Sequence, residues 1–203
     1  MMKQRVHSGF TLVEMLVSVA LFSVVMVVAL GALLSMSVAT RRAEAINSAV
    51  NNLSSAIDSM SRSIRTGTNF HCTSNGTLTS PQDCTSPNPD SFFSYLAFDG
   101  SQINYCLSAP DSQTTCASNS GTDMVCPSGT CAILRSIGGS AYVPLTAPEV
   151  NIKYLAFYLE GSALLDGIQP KLTMSVAGTV QITATQSANF NIQTAVTQRV
   201  FDQ

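Results

Sequence analysis

The chain has 203 residues, enough for one ordinary domain plus an extra element. It is sparsely charged, with 11% Asp, Glu, Lys and Arg against 45% apolar residues, no tryptophan and a formal net charge of -2. That balance gives no electrostatic basis for a nucleic-acid partner.

Residues 1–9, MMKQRVHSG, carry Lys3, Arg5 and the terminal amine. No residue from Met15 to Thr40 is charged, and LVSVALFSVVMVVALGALL at 16–34 is long enough to cross a hydrocarbon core of about 30 Å. The positive flank predicts that the N-terminus stays cytoplasmic, although Arg41 and Arg42 beyond the run weaken the charge bias.

After Arg42 the apolar residues are Ile46, Val50, Leu53, Ile57, Met60 and Ile64, alternately four and three apart. This is the stripe of a helix that packs on one side only. Gly67 is the first C-cap candidate, with Arg62 and Arg65 in the last turns, where cations suit the helix dipole. The reading is one helix over about residues 10–66, roughly 85 Å at 1.5 Å per residue. Its membrane segment spans about 15–38, and its second half has a domain laid along it. A helical hairpin would need a second long helix, and none follows.

Cys72, Cys84, Cys106, Cys116, Cys126 and Cys131 lie in one turn-rich stretch. An even number so clustered predicts a disulfide framework and an oxidising compartment, which also orients the membrane segment. Six cysteines admit 15 pairings; their short separations favour Cys72–Cys84, Cys106–Cys116 and Cys126–Cys131.

Within the disulfide-rich segment 68–131, SFFSYLAF (91–98) and QINYCLS (102–108) read as a hairpin across Asp99-Gly100, and CAILRSI (131–137) as a further strand. NIKYLAFYLEG (151–161), KLTMSVAGTVQI (171–182) and NFNIQTAVTQRV (189–200) follow. The last two alternate apolar and polar residues, as half-buried antiparallel strands do. The stripe from Ile46 to Ile64 is the available cover for such a sheet. The expected fold is α+β, a long N-terminal helix on an antiparallel β-domain over 67–203. A freestanding sandwich on a stalk is the alternative.

The start of the apolar run carries the most specific signal. Gly9-Phe10-Thr11-Leu12-Val13-Glu14 places a carboxylate at the head of an uncharged helix. A secretory signal peptide cut after Ala39 (Ser37-Val38-Ala39) is the competing reading, but the apolar run exceeds the usual ~7–15 residues of such signals. GFTLVEMLVSVALFSVV resembles the class III signal of type IV prepilins and secretion-system pseudopilins. The resemblance implies that an inner-membrane prepilin peptidase/N-methyltransferase cuts after Gly9 and methylates Phe10. It implies a pilin-like fold and, as partners, other minor and major pilins in a helical filament. Glu14, buried when such helices bundle, needs a cation, and the Phe10 amine of a neighbouring subunit is the obvious one. Where many major pilins have a mid-helix proline, this chain has Gly31.

The segment from Tyr142 onward resembles minor pilins and pseudopilins of the W/J type. Phe190, Gln193, Thr194, Val196, Gln198 and Arg199 match their F-x-x-Q-T-x-V-x-Q-R tail. The cysteines lie far from the C-terminus, unlike the usual disulfide of major pilins. The implied function is a minor pilin that initiates, primes or caps a type IV pilus. A minor pseudopilin of a type II secretion system is the alternative. An exported binding module on a pilin-like anchor is a third reading, which a pocket of convergent polar groups would favour.

No enzymatic constellation stands out. His71 is the only histidine outside the leader and sits in a turn-rich region, so no Ser-His-Asp set is expected. His71, Cys72 and Cys84 lack zinc-ligand spacing, and Asp83, Asp90, Asp111 and Asp123 form no spaced calcium loop. No cofactor is implied.

Overall fold

The computed structural model describes residues 10–72, 78, 80–117, 124–164, 166–183 and 186–199. The expected leader, Gly9 included, and Asp123 lie outside them. One helix, α1 (Leu12–Arg65), is followed by strands β1 (Thr68–Cys72), β2 (Phe92–Leu96), β3 (Gln102–Leu107), β4 (Ile133–Ile137), β5 (Val143–Pro144), β6 (Val150–Glu160), β7 (Lys171–Thr183) and β8 (Gln186–Thr197). The chain divides into two units, Met1–Glu44 and Ala45–Gln203.

In the first unit every described residue is solvent-exposed, including the large apolar side chains from Phe10 to Val38. The helix is long and apolar enough to cross a membrane, which is consistent with a single-pass anchor. Three of its hydroxyls are satisfied from within. Ser18, Ser23 and Thr40 each donate to a carbonyl three or four residues back, at 3.0, 2.8 and 3.0 Å, so these hydroxyls make no demand on surrounding lipid.

The second unit is the α+β body. The outer part of α1 buries Ala49, Leu53, Ala56, Ile57, Met60 and Ile64. The expected stripe is shifted at its start: Val50 is 42% exposed and Ala49 takes its place. The cause is a close approach. Asn52 Oδ1 accepts the Ala147 N–H at 2.9 Å, which draws that segment onto the helix where an alanine leaves room.

The strands form two sheets rather than one, with orders β1-β2-β3-β4-β5 and β6-β7-β8, and their named pairings are antiparallel. Both sheets share one core with α1. The Phe93 ring lies 5.7 Å from Phe70, 5.6 Å from Tyr95 and 5.6 Å from Phe157 of the other sheet. The five-stranded sheet is also covered behind, where Phe92, Cys106, Ala132 and Leu134 form a second cluster packed by Cys116 and Tyr142. Cover on both faces is why the adjacent Phe92 and Phe93 of β2, which point to opposite faces, are both buried.

Strands β1 and β5 lie outside the sequence expectation. The first is broken by a register shift between Thr68 and His71, with Asn69 at φ 54°. The second has two residues, one of them Pro144, which suits an edge. In β7, Leu172, Met174, Val176 and Val180 are buried on one face as their alternation predicts. Gly178 continues that row because a Cβ there would strike the Asn151 carbonyl and the Phe190 ring.

Candidate functional site

The head of α1 is a capped helix start. The Thr11 carbonyl accepts the Met15 N–H at 3.2 Å, and its hydroxyl oxygen accepts the Glu14 N–H at 3.3 Å. Thr11 therefore acts as N-cap and Glu14 occupies the third helical position, the T-x-x-E spacing of a capping box. A carboxylate in the first turn is favoured by the helix dipole even before any partner arrives. Phe10, 81% exposed, immediately precedes the cap. The sequence reading singled out Phe10 and Glu14; Thr11 as the residue fixing the helix start is an addition from the geometry.

This end of the helix offers an adhesive surface. Burying each exposed Leu, Val, Phe or Met is worth roughly 1.5–3 kcal/mol, and among the described residues nothing buries them. Lipid or a bundle of like helices is the environment that suits such a surface.

The cysteines are paired as Cys72–Cys84, Cys106–Cys116 and Cys126–Cys131, with Cα separations of 5.8, 5.7 and 6.1 Å. Their loops do something the sequence did not announce: two of them line the β6 edge away from β7. Cys84 and Leu159 exchange backbone hydrogen bonds, as do Asp90 and Phe157. The Cys126 N–H donates to the Lys153 carbonyl at 2.9 Å, the Leu155 N–H to the Met124 carbonyl at 2.9 Å, and the Ile152 N–H to the Cys131 carbonyl at 2.9 Å. An edge strand exposes such groups as a template for unwanted pairing, and here two disulfide loops occupy it.

Of the aspartates considered for calcium, the three described ones, Asp83, Asp90 and Asp111, are engaged in loop hydrogen bonds. Asp83 accepts the Gly161 and Ser162 N–H groups at 3.1 and 2.8 Å. Asp90 accepts the Phe92 N–H at 2.9 Å, and its partial burial pushes the carboxyl up. Asp111 accepts from the Thr130 N–H and hydroxyl, which hold its carboxyl below the ordinary range. His71 Nδ1 lies 2.9 Å from the Ser80 carbonyl. Among the described residues no group of three or more His, Cys, Asp and Glu is placed to hold a metal ion.

The tail residues divide by role. Val196 is buried, Phe190 packs against the core, and Gln193 is exposed. The buried Gln198 donates from Nε2 to the Gly67 carbonyl at 3.0 Å, and the Arg199 N–H donates to the Arg65 carbonyl at 2.8 Å. The tail thus fastens the last strand to the end of α1.

Residues 4–30 match the family model of the prokaryotic N-terminal methylation motif. Neither the curated proteins nor the solved structures gave a match to the chain. The motif implies processing by a prepilin peptidase/methyltransferase. Motif and fold together fit a pilin-like or pseudopilin-like exported subunit.

Proposed function

We propose that the chain is a minor pilin, a low-copy subunit that initiates, primes or caps assembly of a type IV pilus. The observation that carries the reading is the head of α1. A capped start with one carboxylate, Glu14, opens an apolar surface exposed on all sides, within the segment matching the methylation motif.

On this reading residues 1–9 are the leader, and cleavage after Gly9 frees the Phe10 amine for methylation. The chain waits as a single-pass inner-membrane protein with its disulfide-bonded domain outside the cytoplasm. In the filament Glu14 leaves headgroups and water and takes the Phe10 amine of an adjacent subunit as its partner. Such a pair sets axial register, since a subunit one step out of place leaves both charges buried and unpaired. The minor rather than major role is supported by the position of the cysteines, the last of which is Cys131.

The test is deletion of the gene, with filaments counted by electron microscopy and this chain quantified against the bulk subunit in purified filaments. Few filaments in the deletion strain, and a small fraction of this chain in wild-type filaments, are expected. Unchanged filament number overturns the reading. So does a strain that keeps its pili but loses protein secretion, which assigns the chain to a secretion pseudopilus.

A further inference from the structure

The two sheets have four edges, and three of them are closed. Along β1 the segment at Gln82 is paired: the Cys72 N–H donates to the Gln82 carbonyl at 3.1 Å and the Gln82 N–H to the Phe70 carbonyl at 3.2 Å. Strand β5 has two residues, one of them Pro144. The β6 edge holds two disulfide loops. The fourth edge is β8, 12 residues long, which pairs with β7 alone. The usual guards of an edge are missing from it. Gln186–Thr197 contains no charged residue and no proline, and its register against β7 is unbroken from Ser187 to Thr197.

The direction of its backbone groups follows from two bonds. The Gln198 N–H donates to the Pro170 carbonyl at 3.0 Å, so Gln198 faces β7. The Gln181 N–H donates to the Glu149 carbonyl at 3.0 Å, away from its β8 partner Ser187. Alternation then turns the N–H and C=O of even-numbered residues 188–196 toward β7 and those of odd-numbered residues 187–197 outward. Among the described residues nothing pairs with the outward set. Phe190 and Ile192 pack against the core but stay half-buried, because the row they belong to stops at this edge.

A repeating row of donors and acceptors, each pair two residues from the next, is matched by another extended backbone and by no small ligand. A second copy does not fit. Asn52 lies at the pocket formed with Ala147, Glu149 and Gln181, near Ser187, whereas the Arg65 carbonyl accepts the Arg199 N–H. The outer part of α1 therefore runs in the same direction as β8. An antiparallel pairing of two β8 strands reverses the second α1, so its chain enters the domain from the opposite end, unlike two chains anchored in one membrane. A parallel pairing sets an outward residue opposite an inward one, an odd offset that no two-fold axis provides.

We propose that the open edge of β8 binds an extended segment of a different protein, which adds a fourth strand to the β6-β7-β8 sheet. The segment alternates apolar residues, which cover Phe190 and Ile192, with neutral polar ones beside Asn189, Asn191 and Gln193. The site rests on the β-domain alone, so its test is separate from that of filament assembly.

The experiment uses the full chain in an uncharged detergent and reads amide hydrogen exchange by NMR. The probe is a capped peptide of alternating threonine and valine flanked by lysines; the control replaces each valine with proline. The probe should slow exchange at the Asn189, Asn191, Gln193 and Ala195 amides and leave Phe190 and Ile192, already bonded to β7, unchanged. Q193P removes an outward N–H that bonds nothing in the domain, a position where an edge tolerates proline. It should weaken the probe about ten-fold. N191K, which leaves the backbone intact, should weaken it as well, and an unchanged amide spectrum of either variant certifies the fold. Equal binding of the proline control overturns the proposal, as does unaltered exchange at the odd-numbered amides. Those amides already protected without probe, in a dimer that Q193P dissociates in sedimentation, would give the edge to a second copy and also overturn it.

Discussion

Cys84 and Leu159 exchange two backbone hydrogen bonds, 3.1 and 2.9 Å long, although Cys84 belongs to none of the eight strands. The bond from Cys84 to Cys72 closes a loop of sequence separation 12 and so holds this stand-in strand against β6. Reducing that constraint should free the edge before it frees the sheet. C72S/C84S is expected to lower stability by about 2–4 kcal/mol on the loop-entropy account. Hydrogen exchange should rise first at the Phe157 and Leu159 amides, with β7 amides still protected. Uniform loss of protection across β6, β7 and β8 would refute this local role.

A tight fit at the end of α1 gives a second prediction. The Tyr95 hydroxyl donates to Ser63 Oγ at 2.6 Å, and the Tyr95 ring occupies the space where a Gly67 Cβ would lie. Gly67→Ala should cost about 1–3 kcal/mol as an overpacking change. Tyr95→Phe should cost only about 1 kcal/mol, the usual worth of one hydrogen bond. Because the clash is with ring carbons, the Gly67→Ala penalty should persist in the Tyr95→Phe background. Denaturant melts of the three variants measure this; loss of the penalty in the double variant would contradict it.

Asp90 supplies the pH dependence. Burial raises its carboxyl above the ordinary value, against the Phe92 N–H that favours ionisation. A raised acid binds its proton more readily folded than unfolded. Its stabilising contribution is therefore complete below the unfolded value, near 3.8, and is lost as pH rises through the folded one. Asp90→Asn keeps an oxygen for Phe92 and removes the ionisation. The variant should match wild type near the acid end and be the more stable protein at pH 7. Thermal melts at several pH values check the sign, and a variant that loses stability relative to wild type as pH rises is the contrary result.

Processing and assembly can be separated at the head of α1. Intact mass should show loss of residues 1–9 and gain of one methyl group on Phe10; a mature start at Thr40 would mean a signal peptidase instead. Glu14→Ala removes a carboxylate costing about 2.5–3.5 kcal/mol at bilayer mid-depth, so membrane insertion should not suffer. Incorporation into filaments should fall, since leaving a buried amine without its partner costs about 3–5 kcal/mol. Glu14→Gln should behave like Ala, and Glu14→Asp should fall between. Wild-type incorporation of the Ala and Gln forms, normalised to the membrane pool, would exclude the charge pair.

What could be read from residues alone follows how local each signal is. The helix was legible because its periodicity runs through Leu53, Ile57, Met60 and Ile64 and ends at a glycine. Gly67 reads as a C-cap from sequence, and it does end the helix, but its φ is not in the left-handed region that favours glycine. It is required there by the nearness of Tyr95, a contact 28 positions away in sequence. Counting only large apolar residues placed Val50 on the buried face and missed Ala49 and Ala56. The later strands were legible from alternation. The division into two sheets was not, because it depends on where β5 stops and on loops that pair with β6 through backbone groups, which carry no residue signature. The meeting of Arg199 with Arg62 and Arg65 around one open pocket escaped for the same reason: Arg62 and Arg65 looked like dipole partners, and Arg199 comes near them only through the fold.

The bond from the Arg199 N–H to the Arg65 carbonyl, with Gln198 reaching Gly67, has a consequence for timing. These residues stand near the beginning and near the end of the described β-domain, so they are synthesised far apart in time. A contact so distant in sequence forms late, because the intervening chain must be in place before it can close. The emerging domain therefore stays unlatched, with the end of β8 undocked from the end of α1, until residue 199 has been synthesised. A stalled or truncated chain is then distinguishable from a finished one by whether that latch has closed.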